Sequence, residues 1–497
     1  MTLFFHTTQL TKKTLGKILA PEYKLTYHRE EEKAATLLET FDGELSQKGF
    51  LLLESSESLL LINCHTGKFL EQQGTLCQKC LPILKKGPVS DALSTISPIR
   101  AFLPIATPYY QVGMFALLDD EEKTVARLQV LTIQSEKQQI QLLLTKSIRG
   151  YTKAYSKLIE SLTTLGCHTA QKNDIFSYLA LPQITYRAKP EILLEAHTPI
   201  KESTAKIIST FIDVARQNEA GITDDYDTEF LHDYRVSLRK VRSVISLFKG
   251  VYSEATTLLL KEEFAEIMQC TGRLRDLDVY LLDKDNYFAL VPSSTHEGLN
   301  ILFECFEKER ATQHQEVCAN LASKTYKKRI KKLHKSFTQQ SLELGPKSDS
   351  ASLPFACKLI LKRYNKVCTI ARSIDASTAD EIVHELRIQC KKLRYLMEFF
   401  TPLFPKKHIK GLIKELKVLQ DNLGRFNDYS VQQLSLATFL SDNVIKGSRG
   451  LKVAEAIGAL TAMLNVRQQK ERNLVMDNFS RFDSETTRQL FSQTFSL

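Results

Sequence analysis

Two segments of this 497-residue chain repeat each other at a fixed distance, and no other feature constrains the fold as tightly. His232, Arg235, Arg239, Lys240 and Arg242 in FLHDYRVSLRKVRSVISLF stand 152 residues before His384, Arg387, Lys391, Lys392 and Arg394 in IVHELRIQCKKLRYLMEFF. The same offset carries Gly272, Arg273 and Asp276 of TGRLRDLD onto Gly424, Arg425 and Asp428 of LGRFNDYS without a gap. Two motifs about 40 residues apart that share one register point to two equivalent structural units.

Each basic motif reads as a helix. At about 100° per residue, with His232 at zero, Arg235, Arg239 and Arg242 fall at about 300°, 340° and 280°, a single stripe, and Lys240 flanks it at about 80°. Leu231, Leu238, Val241, Ile245 and Phe248 form an adjoining apolar face suited to a bundle core. The second copy sets His384, Arg387, Lys391 and Arg394 against Val383, Leu386, Leu393, Met397 and Phe400. The stripe reads as having no acidic partner at i,i+4, so its like charges repel by a few tenths of a kcal/mol per pair. A bound anion would supply the reason for keeping them together.

The rest of the chain divides by periodicity. From about Leu51 to Ile133, runs such as GFLLLE, SLLLINC, YYQVGMFALL and VARLQVLTI alternate with turn-rich HTGK and LDDEEK, which predicts strands. Residues 150–166 predict a helix, and Leu181–Pro190, with two prolines, a linker. Beyond residue 196 the spacing becomes helical, with Pro and Gly at the breaks. The expected fold class is therefore α+β: a β-rich domain over 1–190, then an all-helical domain over 196–497 with halves of about 196–345 and 350–497.

Charge follows the same division. Residues 1–200 hold 22 Lys+Arg and 20 Asp+Glu, net +2; the totals of 67 and 57 leave 45 and 37, net +8, for the remainder. So modest an excess makes a polyanion site a matter of local clustering. Of ten cysteines only Cys77 and Cys80 are close in sequence, which predicts reduced thiols and no four-ligand zinc site. With no signal-peptide pattern and no run of about 18 apolar residues, no membrane association and a cytoplasmic location are expected.

Two equivalent stripes facing a shared groove would make a linear site. Guanidinium forks bind phosphate oxygens bidentately and lysines act as point charges. Further cations expected to join are Arg273, Arg275, Lys358, Lys362, Arg363, Lys417 and Arg425, with i,i+3 pairing of Arg273 to Asp276 and of Arg425 to Asp428 as the alternative. The histidines predict an affinity that falls as pH rises through their range and falls with salt. Metal ligation is disfavoured because the neighbours of His232 and His384 at coordination spacing read as arginines. With Tyr234 and Tyr395 the only aromatics beside the stripes, a base-free polyanion fits better than nucleic acid. The acidic run Asp224, Asp225, Asp227 and Glu229 fits either a bridging cation or the positive N-terminus of the motif helix.

At these residues the sequence resembles the CHAD family, helical histidine-containing domains that bind inorganic polyphosphate. The segments that carry the resemblance are NEAGITDDYDTEFLHDYRVSLRKVRS, TGRLRDLDVYLL, IVHELRIQCKKLRYLMEFF and LKVLQDNLGRFNDYSVQQ. It implies two pseudo-symmetric four-helix bundles around a basic groove or pore, anion contacts at His232, Arg235, Arg239, Arg242, His384, Arg387, Lys391, Lys392 and Arg394, and association with polyphosphate granules. The N-terminal part, through LLETFDGELSQKGFLLLE, SPIRAFLPIA, DEEKTVARLQV and IRGYTKAYSKL, resembles a degenerate CYTH domain, the β-barrel of the triphosphate tunnel enzymes. An active member carries a Glu-x-Glu-x-Lys strand; Arg29–Lys33 (REEEK) breaks that spacing, and LLLESSESLLLI has no Arg or Lys where a basic tunnel strand should lie. The expectation is a non-enzymatic polyphosphate-binding protein with no catalytic residues, metal or cofactor and no identified protein partner. A metal-dependent triphosphatase or an RNA-binding adaptor is the rival.

Overall fold

LLLESSESLLLI folds as a hairpin whose strands, Phe50–Glu54 and Ser58–Asn63, are apolar on both sides because both sides are covered. In this computed structural model, which describes residues 2–6, 10–19, 22–29, 31–135, 138–169, 178, 182, 184–375, 377–442 and 447–496, the hairpin belongs to an antiparallel five-stranded sheet. Its order is Lys68–Gln73, Ser58–Asn63, Phe50–Glu54, Thr36–Thr40, Phe102–Ala106. A seven-stranded antiparallel sheet runs His168–Thr169, Thr2–His6, Gln139–Ser147, Thr124–Gln134, Tyr109–Leu118, Lys24–Arg29, with Lys33–Ala34 also on Tyr109–Leu118.

Leu51, Leu53, Leu60 and Ile62 of the smaller sheet share one core with Leu131, Ile133, Ile140 and Leu142 of the larger. The outer face of the larger sheet is covered by helices Lys12–Leu19 and Thr152–Thr164, and that of the smaller by Glu44–Gln47 and Pro88–Ala92. These antiparallel sheets agree in architecture with the CYTH-like expectation, and the core they share is rich in leucine and isoleucine. The REEEK segment is no continuous strand: Arg29 ends one strand and Lys33 begins the next, while Glu30 lies outside the described residues. Leu181 and Gln183 of the expected linker also lie outside them.

By compactness the chain forms two units, Met1–Ala188 with Asp224–Glu229, and Lys189–Thr223 with Phe230–Leu497. Residues 224–229 are the acidic run, and their role in the first unit is structural. Asp227 accepts from the Ala101 amide at 2.9 Å, pairs with the buried Arg100 at 3.4 Å, and accepts from the Glu229 amide at 2.9 Å, which caps the helix that follows.

The second unit is helical and doubled. Ser352–Arg372 begins 152 residues after Ile200–Gln217, and Asp380–Phe400 begins 152 after Thr228–Leu247. Lys406–Asp442 begins 152 after Glu254–Gln269. The fourth helices, His296–Ala322 and Gly447–Asn473, and the closing helices, Lys324–Thr338 and Val475–Phe482 with Glu485–Phe495, are 151 apart. The first half thus adds one closing helix to the four expected and the second half adds two. On the two motif helices, Thr228–Leu247 and Asp380–Phe400, and at Phe248 just beyond the first, the predicted apolar residues are all at most 3% exposed. Burying five such side chains contributes roughly 7–15 kcal/mol per helix before entropy is counted.

Equivalent residues meet across an approximate two-fold axis. Phe248 stacks on Phe400, its counterpart, with centroids 4.9 Å apart and planes 10° from parallel. Pro199 bridges Ala351, and the Tyr280 hydroxyl donates to the Gln432 carbonyl at 3.4 Å; both pairs are 152 residues apart. The fourth helices pack on each other so closely that a Cβ on Gly298 would lie 2.0 Å from the Lys452 carbonyl oxygen.

The halves differ in one respect. The third helix of the first half breaks between Gln269 and Gly272 and resumes as Gly272–Leu282, whereas its counterpart runs unbroken for 37 residues. At the break Thr271 turns its hydroxyl onto the Met268 carbonyl at 2.7 Å, and Arg235 donates to that hydroxyl at 2.6 Å and to the same carbonyl at 3.3 Å. Leu423 occupies the equivalent position in the second half and has no hydroxyl to offer.

Candidate functional site

The two motif helices bring their stripes together. Arg239 of the first interacts electrostatically with Lys391 and hydrogen-bonds the Tyr395 hydroxyl, both on the second. Arg387 and Arg394 also surround Lys391. Burial first, then the Arg239, Arg387 and Arg394 charges, lower the Lys391 pKa from 10.5 to about 8, against the opposing pull of Asp428. On the first helix, burial and then Arg239 hold the Arg235 guanidinium below its usual value, with Asp276 opposing and Arg275 reinforcing.

Carboxylates reach this cluster, and the expected absence of an i,i+4 partner needs correction. Arg394 donates to Glu398, four residues on, at 2.7 Å and to Gln420 at 3.2 Å; Arg387 lies 3.7 Å from the exposed Asp428. Arg239 of one helix and Arg387 and Arg394 of the other nevertheless converge on the partly buried Lys391, and low local solvation strengthens the attraction of these cations for an anion.

Other expected members occupy different places. Arg273 is held bidentately by Glu309 at 2.5 and 2.6 Å, with Asp276 acting on it electrostatically as well, and Arg425 is held by Glu471 at 2.8 Å. Lys240 is only 6% exposed and lies over the Phe211 ring at 4.6 Å in a separate cavity of about 300 Å³. Lys392, its counterpart, turns from the groove toward Arg363, Lys366 and Lys249. Lys358, Lys362 and Arg363 line a second cleft on that side. Consecutive helix positions are about 100° apart, so Lys391 and Lys392 cannot face the same way. Arg242 is exposed on the first motif helix, and Lys417 is exposed one turn from Gln420 and on its side of the long helix.

The histidines are not alike. His384 Nδ1 lies 3.1 Å from Asn427 Oδ1, with its ring tilted against Phe426. On the helix of His232, the ligand atoms of Glu229, His232 and Asp233 lie within 4.8 Å of one another. The expectation that only arginines neighbour His232 at coordination spacing is therefore corrected, since i−3 and i+1 are carboxylates. Arg275, which sequence reasoning placed on a par with Arg273, is the member of that pair that reaches Arg235. All ten cysteines are free of disulfides, and among the described residues no helix is long and apolar enough to cross a membrane.

Comparison with known proteins gives the following. The family model described as "CHAD domain" matches residues 206–437. No curated protein matches the chain. Among solved structures, the CHAD domain from the plant Ricinus communis is similar at 22% identity and a TM-score of 0.49, over 61% of this chain and 95% of that one. PptA from Streptomyces chartreusis is similar at 14% identity and a TM-score of 0.45, over 57% of this chain and 100% of that one. With its family match lying in the doubled helices and spanning both basic motifs, this protein carries a CHAD domain over residues 206–437.

Proposed function

We propose that the protein binds inorganic polyphosphate in the groove between the two motif helices and acts without catalysis, as a scaffold or targeting protein in the cytoplasm. The observation that carries this reading is Lys391, a partly buried amine surrounded by Arg239 of one half and Arg387 and Arg394 of the other. Gathering these cations costs energy in the free protein, and a chain with one negative charge per phosphate recovers it at several contacts at once. The resemblance of the motifs to polyphosphate-binding domains points the same way. Against a triphosphatase in the N-terminal unit stands the apolar core that its two sheets share, with Leu51, Leu53, Leu131 and Ile133 among its members.

The test is polyphosphate binding by Arg239→Glu/Arg387→Glu beside the wild type, with circular dichroism to verify helix content. Two charge reversals at phosphate contacts should weaken binding at least a hundredfold, given about 1.5–3 kcal/mol per charged hydrogen bond. Unchanged affinity in a folded variant would place the ligand elsewhere.

A further inference from the structure

Duplication gives every cleft in the helical unit a counterpart, so that each copy serves as a reference for the other. Beside the end of the second motif helix, Phe211, Lys240, Glu398 and Thr401 line a cavity of mixed character that also includes Lys189 and Glu191. Its counterpart lies beside the end of the first motif helix, about 440 Å³ in volume. There the residue equivalent to Phe211 is Arg363, to Glu398 is Ser246, and to Thr401 is Lys249. Lys362 stands where the first half has Thr210, and Lys347 where it has Glu195; only Lys358 matches a lysine, Lys206.

Five cations and no carboxylate therefore line this second cleft, whereas the first balances Lys189, Lys240 and Lys406 against Glu191 and Glu398. The nearby carboxylate, Glu385, outside the lining, acts electrostatically on Arg363 and Lys392 and is held by Lys366 at 3.5 Å and by the Gln389 amide. Gln389 also accepts from Arg363 Nη1 and fixes the guanidinium at the cleft wall, while Arg363 Nε is buried without an acceptor among the described residues. The floor is apolar, formed by Leu247, Pro354, Phe355 and Leu359. A cleft of this size lies within the range of about 300–1,000 Å³ typical of small-molecule sites.

We infer that this cleft is a second anion site, separate from the groove, for a compact small molecule that carries several phosphates. It shares no residue with the cluster around Lys391. A cleft of this volume lined by five cations suits a short anion whose charges are held close together. Long-chain polyphosphate suits the open groove.

The experiment titrates the full chain with inorganic tripolyphosphate by calorimetry. The groove variant Arg239→Glu/Arg387→Glu should retain one tripolyphosphate per chain, and adding Lys358→Glu/Lys362→Glu should weaken that event at least tenfold. Both lysines are exposed, so the fold tolerates their replacement. Long-chain polyphosphate at equal phosphate concentration should leave tripolyphosphate in place on the groove variant. The inference is overturned if the groove variant binds no tripolyphosphate, if the lysine reversals leave its binding unchanged, or if the long chain displaces it. Because the groove is disabled throughout, failure here leaves the polyphosphate reading of the groove standing.

Discussion

Replacing Lys391 by Met should make the protein more stable and a worse ligand binder at the same time. The fall in the amine's pKa from 10.5 to about 8 means that its charged form is penalised in the folded state. At about 1.4 kcal/mol per pH unit that is about 3 kcal/mol, which solvent screening of a partly exposed amine reduces to roughly 1–2 kcal/mol. Methionine keeps the length of the stem and its packing while removing the charge. The variant should therefore melt roughly 2–6 °C higher at pH 7. Because the folded pKa is depressed, the unfolded chain binds the extra proton between pH 8 and 10.5, so wild-type stability rises with pH across that window. The advantage of the variant should be full below pH 8 and vanish by about pH 10.5. Binding runs the other way: a phosphate favours the ammonium, so its contribution is complete below pH 8 and disappears as pH climbs past the pKa of the complex. At pH 7 the variant should lose about tenfold or more in polyphosphate affinity, the worth of one charge-assisted contact. Scanning fluorimetry at pH 7 and 10 with calorimetric titration checks both halves. A melting temperature at or below that of the wild type at pH 7, or an unchanged affinity, would refute the placement of this amine among like charges.

Arg235→Ala should cost about 2–3 kcal/mol of stability by removing its charged hydrogen bonds to the Thr271 hydroxyl and the Met268 carbonyl at the helix break, measurable by urea titration; Arg239→Ala, which loses only the bond to the Tyr395 hydroxyl, should cost less and lower affinity. Gly298→Ala should destabilise by about 2–3 kcal/mol because its methyl meets the Lys452 backbone, and a melting temperature within 1–2 °C of the wild type, on the order of an innocuous surface change, would contradict the close approach of the fourth helices. Removing divalent ions with a chelator should not change polyphosphate affinity, whereas raising salt should lower it steeply. Loss of binding on chelation would instead point to a cation held at Glu229, His232 and Asp233.

Much of the fold is legible from periodicity, because a bundle encodes its buried faces locally. Leu238, Val241 and Ile245, with Leu386, Leu393 and Met397, announce which side of each motif helix is covered, and the 152-residue offset announces the second copy. The membership of the groove is harder to read. Arg273 and Arg275 have equal standing in the sequence; what separates them is Glu309, brought in by a helix 36 residues away. Arg425 is likewise claimed by Glu471, 46 positions on. Such pairings depend on tertiary contact, which no local pattern encodes. The Arg394–Glu398 pair, by contrast, was within reach of simple helical spacing. The strands Thr2–His6, Lys24–Arg29, Thr36–Thr40 and Gln139–Ser147 lie outside the stretch whose periodicity predicts strands.

The stacked rings of Phe248 and Phe400 make the relation between the halves concrete. In a homodimer a residue on the symmetry axis meets itself, and any substitution there acts on both sides at once. Tandem fusion removes that constraint: each ring is now encoded by its own codon, and the surfaces that flank the axis can take separate chemical paths within one polypeptide. The surface that would join two copies in a homodimer is here an interior seam, which leaves one copy able to specialise while the other preserves the architecture.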